Sequence, residues 1–145
     1  MKIRQILQGK KINALYTVRS DETVLDALRL MADKNIGAVL VVDQNELTGI
    51  FSERDYARKI ILKDRHSDDT RIAEVMTANV FTIEPEQTLD ECMVIMSDKH
   101  IRHLPVMDKG ELIGIISIND VVSAIIRDQK TRIDSLESYI SGSPY

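Results

Sequence analysis

Apolar and polar positions along this chain switch between a strand period and a helix period, and they do so twice in the same order. In the C-terminal half, Val80-Phe81-Thr82-Ile83 is a short β-rich run stopped by Pro85. Thr88 and Asp90 then mark a helix start, and Leu89, Cys92, Met93 and Met96 recur at helical spacing. Leu104 to Met107 reads as a buried strand, and Asp108 to Glu111 as a tight turn with Gly110 at the positive-φ position. Leu112 to Ser117 is the paired strand. From Asn119 a second helix carries Val121, Val122, Ala124, Ile125 and Ile126. The predicted order is β-α-β-β-α.

Sliding the chain by 65 residues lays residues 16–60 on 81–125 without a gap, with about a third of the positions identical. Thr23 falls on Thr88, Met31 on Met96, Asp33-Lys34 on Asp98-Lys99, and Glu46-Leu47 on Glu111-Leu112. The same β-α-β-β-α unit is therefore expected in the N-terminal half. A smaller echo, Ile3 to Leu7 against Ile72 to Met76, predicts a lead-in helix before each copy, and Lys63 to Thr70 is a polar linker. Ile133, Leu136, Tyr139 and Ile140 sit at helical spacing in a tail expected to pack on the body or across a dimer. The expected boundaries are 1–66 for the first repeat with its lead-in helix, 67–128 for the second, and 129–145 for the helical tail. The fold class is α+β: a tandem pair of half-domains packed with pseudo-two-fold symmetry.

At 145 residues the chain is long enough to bury a real core, and 43% apolar with 29% charged residues is ordinary globular composition. A net charge of −4 with interspersed signs, no Trp and two Phe argue against a nucleic-acid surface. The start lacks a secretory signal pattern, and no stretch has the length of a membrane span. One cysteine, Cys92, excludes an intrachain disulfide, so a cytoplasmic setting is expected. Cys92 lies on an apolar helix face and reads as a buried structural thiol. Three scattered histidines give no metal-ligand spacing, and no metal is expected. The apolar crowding at Val121-Val122 and Ile125-Ile126 wraps more than one helix face and suggests a homodimer.

One phrase is written in both halves: Gly49-Ile-Phe-Ser-Glu-Arg-Asp55 and Gly114-Ile-Ile-Ser-Ile-Asn-Asp120. Ser-x-x-Asp ahead of an apolar helix is a helix-start signature, in which Ser caps a backbone N–H and the acid favours the positive helix end. The same atoms suit a ligand corner. Backbone N–H groups at the strand-to-helix joint attract an anion, Ser can donate to phosphate, and Asp can accept from both hydroxyls of a ribose. The opening Gly would leave room for a ligand to approach. Residue chemistry alone leaves both readings open.

Over their length, KNIGAVLVVDQNELTGIFSERDYARKI and KHIRHLPVMDKGELIGIISINDVVSAI resemble a pair of cystathionine-β-synthase-type (CBS) domains, a Bateman module of the free-standing bacterial kind. The resemblance spans about residues 3 to 128. It implies a non-enzymatic regulatory module that binds an adenosine-containing ligand (AMP, ADP, ATP, NAD or S-adenosylmethionine) in the cleft between the halves. By the family pattern, Asp120 would hold a ribose, with Ser117 and Asn119 at the ribose–phosphate end. Arg102 and His103 would face phosphate, and the adenine would lie near Asn13, Leu15 and Tyr16. By pseudo-symmetry Asp55, Ser52 and Arg54 would face Thr77, Asn79 and Phe81. The first half has Gly37-Ala38 where the second has Arg102-His103, and Leu40 where it has Pro105. Arg54 and Arg58 are the possible substitutes, and the Asp120 site is expected to be the better phosphate binder.

Signalling is expected through rearrangement of the halves or of the dimer, toward an effector protein the sequence does not identify. A nucleotide-processing enzyme is the less favoured alternative, since there is no P-loop and no nucleophile with an adjacent base. An interaction scaffold with vestigial pockets is the other.

Overall fold

The computed structural model describes residues 1–10 and 14–140, so the expectation for Asn13 lies outside the described residues. Helix α1 (Ile3–Gly9) precedes the first repeat, made of β1 (Thr17–Val18), α2 (Val24–Lys34), β2 (Ala38–Asp43), β3 (Glu46–Ser52) and α3 (Glu53–Asp55). The helix continues as a π turn (Tyr56–Ile60) and a 3-10 turn (Ile61–Lys63), and Asp64 ends it in the left-handed conformation. Helix α4 (Ile72–Val75) precedes α5 (Leu89–Lys99), β4 (His103–Asp108), β5 (Glu111–Ser117) and the long α6 (Ile118–Ile140).

The two halves are built on matching local signals. Thr23 and Thr88 cap α2 and α5, each accepting a 3.1 Å hydrogen bond from the N–H three residues on. Both helices end on a residue in the left-handed region, Asn35 and its counterpart His100 (φ 53° in each). Strands β2 and β3 pair antiparallel, as do β4 and β5, with the same register and the same irregularity before the turn. Positive φ is taken by Gln44 and Asn45 in one turn and by Lys109 and Gly110 in the other, as twisted two-residue hairpins require.

The halves differ at the opening strand. Thr17–Val18 pairs parallel with Leu40–Val41, whereas Val80 to Ile83, expected as a strand, makes only an isolated bridge from Ile83 to Val106. The reason is Pro105. Its counterpart Leu40 donates its N–H to the Tyr16 carbonyl, and proline has no N–H to offer Phe81.

Each half has its own apolar core, and the lead-in segments are exchanged between them. Ile3, Ile6 and Leu7 of α1 are buried with Leu89, Cys92, Met96, Leu104, Val106, Ile116 and Val121, which belong to the second half. Ile72 and Val75 of α4 are buried with Val24, Ala27, Val39, Val41, Phe51 and Ile60 of the first. Backbone hydrogen bonds fix the crossing. Ile3 and Arg4 N–H groups donate to Gln87 and Pro85, and Ile72 and Ala73 donate to Glu22 and Ser20, all at 2.9 Å. The helix written ahead of the first repeat thus closes the core of the second. No helix among the described residues is long and apolar enough to cross a membrane.

The tail expected over 129–145 is continuous with the last helix of the second half as far as Ile140. Over residues 129–140 it does not fold back on the body: Ile133, Leu136, Tyr139 and Ile140 are all exposed.

Candidate functional site

Each repeated phrase forms a strand-to-helix corner. Ser117 ends β5, and the Asp120 Oδ2 atom accepts the Ser117 N–H at 2.8 Å while Asp120 N–H donates to Ser117 Oγ at 3.2 Å. Ser52 and Asp55 repeat the pattern at 3.0 and 3.2 Å, and the Ser52 hydroxyl also reaches Asp55 Oδ2 at 3.1 Å. The helix-cap reading therefore holds at both corners, and the carboxylates are oriented by it.

A lysine stands at each carboxylate. Lys10, just past α1, places Nζ 3.0 Å from Asp120 Oδ2 and donates to the Ile115 carbonyl at 2.8 Å; both side chains are mostly shielded. Lys59 sits 3.0 Å from Asp55 Oδ1 and donates to the Val75 carbonyl at 2.9 Å. Thr77 donates its hydroxyl to the same Asp55 oxygen at 3.2 Å, and its backbone pairs with Ile50. Sequence reasoning missed both lysines. Lys59 was legible as an i,i+4 partner of Asp55, but nothing local ties Lys10 to a residue 110 positions away.

Among the expected residues, Ser117 and Asp120 come together, and so do Ser52, Asp55 and Thr77. His103 opens β4 opposite Ser117 in the ladder and points across to the first half, where a Cβ on Gly37 would lie 3.6 Å from its ring. Burial lowers its pKa, with Arg102 and Lys10 adding to the effect and Asp120 opposing it. Arg102 is exposed, and its carbonyl accepts the Ile118 N–H at 2.8 Å. Asn119 lines a groove with Leu28, Met31, Asn35, Gly37 and Glu53 of the first half. Arg54 is not drawn to Asp55: its guanidinium donates at 2.7 Å to the His100 carbonyl, at the negative end of α5.

The opening-segment aromatics form a matched pair. Lys34 Nζ lies 5.5 Å from the Tyr16 ring centroid, and Lys99 lies 5.0 Å from that of Phe81. Phe81 and Leu15 are exposed, Tyr16 is half-buried, and Asn79 is exposed.

The repeated glycines face protein, not ligand space. A Cβ on Gly49 would lie 2.6 Å from Met76 Sδ, and one on Gly114 would lie 2.7 Å from Leu7 Cδ2. The exchanged lead-in segments press on the strands at these two points, so glycine gives close packing there, and a larger residue would have to displace Met76 or Leu7. Among the described residues, no group of three or more His, Cys, Asp and Glu is placed to hold a metal ion.

Two matched repeats with exchanged lead-in helices and a Ser-x-x-Asp corner in each define a tandem module, and comparison with known proteins gives the class its name. A family profile for the CBS domain matches residues 11–62 and again 72–127, so the chain belongs to the CBS-domain family as a tandem pair. It is 40% identical over 128 residues to the mitochondrial CBS domain-containing protein CBSX3 of Arabidopsis thaliana, covering 85% of this chain and 62% of that protein's length. A solved protein with CBS domains from Burkholderia ambifaria MC40-6 shares 50% identity at a TM-score of 0.86, covering 89% of this chain and 96% of its own. The CBS domain pair of protein MJ0100, solved with 5′-methylthioadenosine and S-adenosyl-L-methionine, is 25% identical at a TM-score of 0.76, covering 89% of this chain and 98% of its own.

Proposed function

We propose that the protein is a non-enzymatic sensor that binds an adenosine-containing ligand at the Asp120 corner, with AMP, ADP, ATP or NAD as the expected class. The observation that carries the reading is the state of the Asp120 carboxylate. Ser117 fixes it, it is only partly exposed, and its hydrogen bonds from described residues all fall on Oδ2. Oδ1 therefore has acceptor capacity for a ribose hydroxyl. Lys10 and His103 flank the same carboxylate and Arg102 adjoins His103, which makes these the basic groups a ligand phosphate would face. The adenosine-type ligands bound by the MJ0100 pair support the class. At the Asp55 corner both carboxylate oxygens are already engaged, by Ser52, Thr77 and Lys59, and Arg54 is held at His100. That corner is the weaker site.

Ligand binding would bias the relative position of the halves, or of paired copies of the chain, and so alter affinity for an effector protein. Such a shift requires that the ligand prefer one arrangement over the other. A cytoplasmic setting belongs to the same reading, supported by the single cysteine.

The test is thermal unfolding against AMP, ADP, ATP, NAD, NADH and S-adenosylmethionine, with wild type beside Asp120→Ala and Asp55→Ala. A ligand at one hundred times its dissociation constant stabilises by about 2.7 kcal/mol, a midpoint shift of roughly 5–10 °C at this size. The reading expects a shift for one ligand, lost in Asp120→Ala. No shift for any of them would favour the scaffold reading, and ligand turnover lost in Asp120→Ala would favour an enzyme.

A further inference from the structure

The exposed face of α6 carries a pattern that neither the core nor the ligand corner uses. Val122, Ile126, Gln129, Ile133, Leu136 and Ile140 follow one another at steps of four, three, four, three and four residues, the seam of a heptad repeat. Isoleucine fills every position of one class (126, 133, 140), and Val122, Gln129 and Leu136 fill the other. The five apolar members are between 48% and 81% exposed, a continuous stripe that nothing in the chain covers among the described residues. The body is attached on the opposite side of the helix, through Val121 and Ala124, both essentially buried. The seam therefore points away from the protein's own core along its whole length.

We propose that a second copy of this chain covers this seam, the two α6 helices pairing as a parallel, in-register coiled coil. Isoleucine at every first core position and Leu136 at the last second position suit two parallel strands, and the polar Gln129 disfavours registers that set it against an apolar residue. Flanking charges select the direction. Arg132 immediately precedes a core isoleucine, and Glu137 immediately follows Leu136. In a parallel pair, Arg132 of each copy lies beside Glu137 of the other, giving two opposite-charge contacts across the seam. An antiparallel pair centred on the same stretch instead sets Lys130 near Lys130 and Arg132 near Arg132. In the single chain Arg132 lies 3.3 Å from Asp128 of its own helix while its side chain is 77% exposed, so it is available to a second carboxylate.

This inference rests on the reading that the protein works as paired copies, and the experiment separates the two. Sedimentation velocity of the full chain over a dilution series is expected to show twice the 16.4 kDa chain mass. Ile133→Asp with Leu136→Asp buries two charges in the seam and is expected to raise the dimer dissociation constant at least roughly 100-fold. Both positions are exposed in the single chain, so helicity by circular dichroism should be retained. Arg132→Glu should weaken the dimer, and Arg132→Glu with Glu137→Arg should restore it. Gln129→Cys should form a disulfide-linked dimer on mild oxidation, while Thr131→Cys, on the opposite face, should not. Cys92 is buried, with its thiol pushed up to about 11, and does not compete. A monomer at every concentration would overturn both the seam and the paired-copy reading. A dimer indifferent to Ile133→Asp and Leu136→Asp would overturn the seam alone. Failure of the charge swap to restore the dimer, or no crosslink at position 129, would overturn the parallel register.

Discussion

Ile6→Ala should destabilise the second half of the protein, although Ile6 precedes the whole of the first. Ile6 is 1% exposed and lies among Leu89, Cys92, Met96, Leu104 and Ile116. Truncating a fully buried isoleucine to alanine removes its transfer free energy and leaves a cavity, a loss of about 2–5 kcal/mol. The upper part of that range is expected if α1 stays in place, because its N–H groups at Ile3 and Arg4 tie it to Gln87 and Pro85 and limit collapse into the void. Urea unfolding would read the loss as a lower midpoint, with the midpoint temperature falling by roughly 5–15 °C. Native-state hydrogen exchange would then locate it. Protection should drop in α5, β4 and β5 first, while β2 and β3 hold until global unfolding. Ile72→Ala, buried in the first core by α4, should give the mirror result. If Ile6→Ala cost less than about 1 kcal/mol, or if protection fell first in Ala38–Phe51, the exchanged packing of the lead-in helices would be refuted.

Gly49→Ala should cost about 1–3 kcal/mol in urea unfolding, and more than Gly114→Ala. The new Cβ at Gly49 meets the Thr77 backbone carbonyl at 3.1 Å as well as Met76, whereas at Gly114 it meets only the movable end of Leu7. Equal costs would show that Thr77 yields. His103 titrates below its ordinary value chiefly because it is buried, so protonation favours the unfolded chain. Its contribution is intact above about 6.5 and is lost as pH falls from there through the folded value. His103→Gln should flatten stability against pH across that window, and an unchanged slope would show that another group sets it.

The sequence by itself determined the repeat, the order of elements within each copy apart from the opening strand that Pro105 leaves unpaired in the second, the turn and cap residues, and the duplicated Ser-x-x-Asp corner. These are local features: Thr23 and Thr88 cap within three residues, and Gly110 takes its positive φ inside its own turn. Matched copies made them legible twice. What only the tertiary structure decided was which pieces pack together. An apolar stripe such as Ile3, Ile6 and Leu7 states that a helix face will be buried, yet burial is non-directional and either half offers an apolar surface. Backbone hydrogen bonds to Pro85 and Gln87 make that choice. The same contacts explain Gly49 and Gly114, whose missing side chains leave space for Met76 and Leu7, and they carry Lys10 to Asp120. The arrangement of the candidate site thus follows from the exchange of the lead-in helices, a contact between residues far apart in the chain that no local spacing encodes.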